Sequence, residues 1–340
     1  MPQQLSFGDA EHDVIRQMNG KGHVTRRDQF LSKLDKIVPW ADLAAGIRPF
    51  YYKGVHGRPP VPLERMLRIH ICQIAHNLSD PGMEDALYDS LSFRKFVGLT
   101  CDDPVPDETT ILNFRHLLEE HDLGKKIFDI VNDQAEIQNL MLRKGTIVDA
   151  TFIDAPSSTK NKTHSRDPEM KSGKKAETWH FGMKMHAGVD RDTGLVHTIS
   201  VTPANESDVV HGSDVLTGEE EEVYGDAGYL GMANRIETET GSKPKARFHI
   251  SARPSTYRDL RDDHPLKQLQ KLNSGVRSKV EHVFHRIKIQ MKYRMARYRG
   301  LAKNTNRLLT LCGLANLLTF ACLKARLKGQ YDQNSRNSRR

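Results

Sequence analysis

The fold class predicted by the sequence is α/β: a mixed sheet flanked by helices, preceded by an all-helical N-terminal domain. Three observations predict it. Up to about residue 141, apolar residues recur at helical spacing between breaks rich in Pro, Gly, Ser and Asp. Beyond Gly145 the pattern changes to short β-rich runs separated by turn residues. Those runs then alternate with helical segments, as a sheet reached through crossovers requires.

In the first part, LERMLRIHICQIAHNL is a helix, and SDPG reads as a break before the helix MEDALYDSL. A helical segment around FRKFVGL follows. Asp107 caps DETTILNFRHLLEEH, and KKIFDIVNDQAEIQNLML closes the module. In the second part, GTIVDATFIDA is a strand, while FGMKMHAGVD and LVHTISVTPAN form a hairpin around RDTG. A helix in SDVVHGSDVL, a strand ending at VYGDAGY, a helix in ANRIETET, a strand in ARFHIS and a last amphipathic helix complete the order. The long polar stretch 157–178 is expected to be a loop. The resulting division is an arm at 1–25, a helical domain at 26–143, a sheet domain at 144–327 and a basic disordered tail at 328–340.

Bulk properties bound the function. The 340 residues suffice for two domains and a sizeable core. With 51 Lys and Arg against 43 Asp and Glu, the net charge is +8, which favours a polyanionic partner. Cys72, Cys101, Cys312 and Cys322 form no C-x-x-C pair, so neither a disulfide framework nor a thiolate zinc site is indicated, and a cytoplasmic location fits. No secretory signal pattern opens the chain. The apolar window Leu308–Leu323 is short for a bilayer span and contains Asn316, so a buried core helix is expected.

Three carboxylates stand out. Asp149 interrupts an apolar strand, where an unpartnered charge costs several kcal/mol; a cap at the strand end is the alternative. Asp226 follows a short strand and precedes small residues, a context that ordinary turns share. Glu281 is the only acid between Gly275 and Arg294. There Val276, Val280, Val283, Phe284, Ile287 and Met291 span an arc of about 100°, and Arg277, Glu281, Lys288 and Lys292 line its border. If the first and fourth strands are neighbours, Glu281 on a helix packed over them can reach both strand ends. A cluster of this kind must be neutralised by cations, and all-oxygen ligation suits Mg²⁺, with Mn²⁺ as substitute. Two such ions support in-line displacement at phosphorus, and the surrounding Lys and Arg suit a phosphodiester backbone.

The blocks RPFYYKGVHGRPPVPLERMLRIH, LSDPGMEDALYDS, PDETTILNFRHLLEEH, VDATFIDAPSSTKNK, WHFGMK, DAGY and RSKVEH resemble bacterial insertion-sequence DDE transposases, specifically the insertion-sequence-five group of the insertion-sequence-four superfamily. The resemblance implies a ribonuclease H-like catalytic domain and a helical domain that binds terminal inverted repeats in double-stranded DNA. It also implies Mg²⁺-dependent strand cleavage with two ions, strand transfer into target DNA, and a homodimer to synapse two ends. Asp149, Asp226 and Glu281 take the family's acidic positions, and Arg277 and Lys288 its helix positions. The tyrosine of that helix pattern is replaced by Ser274. A nuclease without strand transfer, or a DNA-binding protein lacking catalysis, are the alternatives.

Further DNA contacts are expected from Arg286 on the helix, from Lys160, Lys162, Lys171, Lys174 and Lys175 in the polar stretch, and from Lys184. For Lys184 an edge-strand lysine is an equal reading. Trp179 is expected in the core, with base stacking as the alternative. Asp154 is expected to cap the strand exit. His282 and His285 lack further soft ligands for zinc.

Overall fold

The computed structural model describes residues 24–337 except 53, 55–58, 101, 142, 161–163 and 176, with side chains to 326. Lys162, Cys101 and nearly all of the 1–25 arm therefore lie outside the described residues. The chain forms two compact units, Met1–Ile130 and Val131–Arg340. Their division falls inside a helix, upstream of the expected boundary at 143.

The first unit is helical: α1 (Arg26–Ile37), α2 (Trp40–Ile47), α3 (Leu63–His76), α4 (Asp80–Asp89), α5 (Leu91–Val97), α6 (Glu108–Glu120) and the start of α7 (Leu123–Ile137). Local chemistry sets its ends. Asp107 accepts the Thr110 amide at 2.7 Å, as the sequence predicts. SDPG is not a break: Ser79 caps Gly82 N–H, and Pro81 sits in the first turn, where no amide is missed. Gly98 ends α5 at φ +71°, a left-handed value that favours glycine. Arg115 on α6 bonds Asp80 at 2.9 Å and Glu119 at 2.6 Å, tying α6 to the start of α4.

The second unit is built on a sheet of β1 (Gly145–Asp154), β2 (Lys171–Lys175), β3 (Thr178–Asp190), β4 (Val196–Pro203), β5 (Glu222–Gly225) and β6 (Arg247–Ile250), in the order β2-β3-β1-β5-β6 with β4 also on β3. β3 is antiparallel to β1, β2 and β4, whereas β1, β5 and β6 run parallel. Short α8 (Asp208–His211), α9 (Met232–Thr240), α10 (Pro254–Tyr257), α11 (Pro265–His285) and α12 (Leu301–Asn337) complete a ribonuclease H-like arrangement. The hairpin around RDTG is present, with Asp190 accepting the amides of Asp192 and Thr193. β2 replaces part of the expected loop. Only Gly173 is buried in it, so backbone pairing with β3 rather than an apolar face holds it.

Strand alternation gives the sheet two faces. Asp149 and Thr151 pair with Ala187 and Met185 on one; Val148, Ala150 and Phe152 pair with Gly188, His186 and Lys184 on the other. α11 packs across β1, β3 and β5, burying Val280, Val283 and Phe284, and Ile287 and Met291 continue the stripe. The other face holds Val148, Val215, Val223, Tyr229 and Met232.

α12 is the apolar helix. Its first 26 residues, Leu301–Arg326, are long and apolar enough to cross a membrane by composition, a longer run than the sequence window suggests. Leu308, Leu311, Cys312, Leu314, Leu317 and Leu318 are all buried in the protein. Asn316 bonds the amide and carbonyl of Val196 at 2.8 and 2.7 Å. The core reading of this helix therefore holds. Its backbone remains helical to Asn337, so the disordered tail expected from 328 is not what the described residues show.

Candidate active site

Asp149 lies in the part of β1 just beyond its pairing with β5. The parallel register runs Gly145↔Glu222, Thr146↔Val223 and Ile147↔Tyr224. Continued by two residues, it sets Asp149 beside Asp226, which directly follows β5. Adjacent strands lie about 4.8 Å apart, so two carboxylates 77 positions apart in the chain become neighbours at one edge. Asp226 is held by its own turn: its Oδ1 accepts the Gly228 amide at 2.8 Å. Glu281 comes from α11 and is exposed. It shares with Asp149 a cavity of about 720 Å³, also lined by Thr151, Lys175, Lys288 and Arg294.

The electrostatics show Asp149 as the common member. Its pKa is pushed up to about 7, first by burial. Arg277, with Nη2 at 3.7 Å from Oδ2, opposes that rise, as does the Ala150 amide; Asp226 and Glu281 add to it. Asp149 thus feels both other carboxylates, and the opposing Arg277 does not bring it back to its ordinary value. The donor set is oxygen only, which fits a hard divalent ion. Among the described residues no group of three His, Cys, Asp or Glu is gathered closely enough to hold a metal. The convergence is therefore looser than a single meeting point: Asp149 neighbours Asp226 by register and shares its cavity with Glu281, and Asp226 is not among the residues that line that cavity.

Lys288 departs from the helical projection. Residues Arg286–Gln290 form a π-helical turn, whose wider winding shifts Lys288 off the line through Arg277 and Glu281. Its Nζ donates to Phe152 O at 2.7 Å and Thr151 Oγ1 at 3.2 Å, within the same cavity. Burial, followed by Lys175, lowers its pKa. Arg277 also donates to Ser251 Oγ at 3.4 Å. Arg286 is half-buried and outside the cavity lining.

Several sequence expectations change. Lys184 cannot serve as a surface DNA contact: it lies on the face opposite Asp149, is 7% exposed, and donates to Asp208 at 2.9 Å and Glu206 O at 2.7 Å. Trp179 is 69% exposed rather than in the core, because β3 extends beyond β1 at that end, where only β2 covers it. Asp154 does not cap its strand; its carboxylate meets His180 Nδ1 at 2.8 Å. Lys160, Lys171, Lys174 and Lys175 are exposed. His282 and His285 line the cavity. Asp208, Arg294 and Ser251 were not singled out from sequence. Asp208 lies in a generic Ser-Asp helix start, and only the pairing with Lys184 reveals it.

Residues 141–317, more than half of the chain, match the family described as Transposase DDE domain. The chain belongs to this family. Residues 19–117 match a second family, Transposase domain (DUF772). This transposase is accordingly an enzyme of the DDE type whose substrate is DNA and whose family uses divalent metal ions. No solved structure matches the chain.

Proposed function

We propose that this transposase belongs to the insertion-sequence-five group, binds terminal inverted repeats, and carries out Mg²⁺-dependent strand cleavage and strand transfer. The observation that carries the reading is that the β1–β5 register, continued by two residues, sets Asp149 beside Asp226, while Asp149 lines one cavity with Glu281. In this reading Asp149, Asp226 and Glu281 would hold the ions. Bound Mg²⁺, or Mn²⁺ in its place, would supply activation of an attacking oxygen and stabilisation of a leaving one. The chain itself supplies position and charge. Lys288, Lys175 and Arg294 line the cavity where a scissile phosphate would lie, and Arg277 adds a cation 3.7 Å from Asp149. The helical unit is assigned the inverted repeats, and a homodimer is the arrangement that synapses two ends.

The test uses labelled element ends and a target plasmid. Asp149→Ala, Asp226→Ala and Glu281→Gln proteins should lose joining while retaining end binding; joining at the full rate by any of them would overturn the reading. A pre-cleaved end separates transfer from hydrolysis alone, because a nuclease leaves it unjoined.

A further inference from the structure

The connection between α11 and α12, residues 291–300, is held more firmly than a surface turn needs. Tyr293 is fully buried, and its hydroxyl donates to Asn304 Oδ1 at 2.7 Å. Asn304, equally buried, donates in turn to the carbonyls of Tyr298 at 2.7 Å and Gly300 at 2.6 Å. The Arg307 guanidinium stands 5.1 Å from the Tyr293 ring centre and 5.5 Å from that of Tyr298, and it bonds the Tyr298 hydroxyl at 2.8 Å. On its other side the segment is tied to the end of β1: Asp154 N–H donates to Arg294 O at 3.1 Å, and Ala296 N–H donates to Asp154 O at 2.7 Å. Its conformational freedom is therefore given up on folding, before any ligand arrives.

The outward residues of the same segment are of another kind. Tyr293 and Ala296 are buried, whereas Lys292, Arg294 and Arg297 are exposed. Residues 292–303 hold five Lys and Arg and no Asp or Glu. The acids that meet this stretch from elsewhere are engaged: Asp154 bonds His180, while Asp167 and Glu169 accept the amides of Gly300 and Leu301 at 2.6 and 2.7 Å. Fixing the chain explains Tyr293, Asn304 and Arg307. It does not call for cations at the outward positions, where like charges repel one another. Cations held side by side on a rigid support fit a polyanion. Arg294 also lines the cavity of Asp149 and Glu281, so the cations begin at the candidate active site.

We propose that residues 292–300 form a preset rim for the DNA backbone, on which Lys292, Arg294 and Arg297 hold phosphates of the strand adjoining the cleavage position. The partner is duplex DNA, and the contacts are independent of its sequence. A support already ordered in the free protein avoids the ordering cost that a flexible loop would subtract from affinity. The position of the rim rests on the reading of the cavity as the cleavage site; the phosphate contact itself does not.

The test measures binding of the full chain to labelled duplexes carrying an element end, with chelator present and salt varied, alongside thermal unfolding. Lys292→Gln, Arg294→Gln and Arg297→Gln should each reduce the slope of log affinity against log salt by about one, and the triple variant by nearly three, at unchanged Tm. The loss should be equal on a duplex of unrelated sequence. Ethylation interference then locates the contacts: phosphates adjoining the cleavage position, whose ethylation blocks wild-type binding, should cease to matter in the variants. A wild-type salt slope in the triple variant, or a loss confined to element ends, removes the rim. So does an ethylation pattern that is unchanged or altered only at distant phosphates. A Tm lowered in step with affinity would make the three cations supports of the fold, and the proposal fails. Asp149→Ala keeps the two readings apart, since it should still bind DNA and lose joining. If it joins ends normally, the cleavage reading fails; if it does not and the triple variant binds as wild type, only the rim fails.

Discussion

Arg277 holds its guanidinium 3.7 Å from Asp149, near enough for charge to act and too far for a hydrogen bond. Arg277 lowers the Asp149 pKa, yet burial and two neighbouring carboxylates leave it at about 7, against an ordinary value of 3.8. Asp149 is therefore held at the expense of stability, a common arrangement where function needs a charge in a poor place.

The pH dependence follows with a definite sign. Below pH 3.8 both folded and unfolded chains carry the Asp149 proton, and the group contributes nothing. Between 3.8 and about 7 the folded chain keeps a proton that the unfolded chain has released, so stability decreases as pH rises. Above about 7 the penalty is complete, with an upper bound on the order of 4 kcal/mol. Asp149→Asn should thus raise Tm at pH 8 more than at pH 5 while abolishing activity. Calorimetric unfolding with chelator present checks this, and an equal shift at both pH values would reject it.

Divalent ions should oppose the same penalty. Saturation to about a hundred times Kd stabilises a one-site protein by about 2.7 kcal/mol. Mg²⁺ or Mn²⁺ should accordingly raise Tm in wild type, with little effect in Asp149→Asn or Asp226→Ala. Chelator should reverse the shift and stop strand cleavage together. A metal-induced shift of equal size in the Asp149→Asn protein would place the ion elsewhere.

The β2–β3 hairpin provides a prediction about DNA. Lys174 pairs across the strands with Trp179, Lys175 lines the cavity, and all three are exposed. Lys174→Ala/Lys175→Ala should bind DNA more weakly and reduce the slope of log affinity against log salt by roughly two, with no change in Tm. Trp179→Ala should likewise leave Tm within about 1 °C, since an exposed ring contributes little burial. A large loss of stability in Trp179→Ala would restore the core reading. Salt-titrated binding assays and thermal unfolding separate the two.

How much of this the sequence revealed depends on the element. The hairpin and the α11 stripe were legible because apolar residues repeat at the periods of strand and helix. The adjacency of Asp149 and Asp226 was legible because a strand reached by crossover commonly pairs beside the first, as β5 does here. β2 was not, since KSGKK carries no apolar alternation and is held by backbone bonds alone. The helix start at Asp80 was hidden by Pro and Gly, which mark breaks in most contexts but are tolerated in a first turn. The π-helical turn that redirects Lys288 has no local signature, and the exposure of Trp179 depends on how far β3 outruns β1. Lys184 failed for another reason: alternation gives two faces without saying which one holds the substrate.

Asn316 offers a test of the core away from the site. It sits 2% exposed on the most apolar helix, where a polar side chain is tolerated only if it is fully bonded. Its amide supplies three bonds: from Val196 N–H at 2.8 Å, to Val196 O at 2.7 Å, and to Asn132 Oδ1 at 2.8 Å. It therefore ties α12 to the start of β4 and to α7. Asn316→Leu keeps the number of side-chain heavy atoms and removes all three, leaving backbone groups of Val196 buried without these partners. The expected cost is on the order of 3 kcal/mol, despite greater hydrophobicity. Urea unfolding should show that loss, and hydrogen exchange should show the Val196 amide opening faster than amides elsewhere in β4. If Asn316→Leu were neutral or stabilising, the helix would be held by apolar packing alone and the bond network would be incidental.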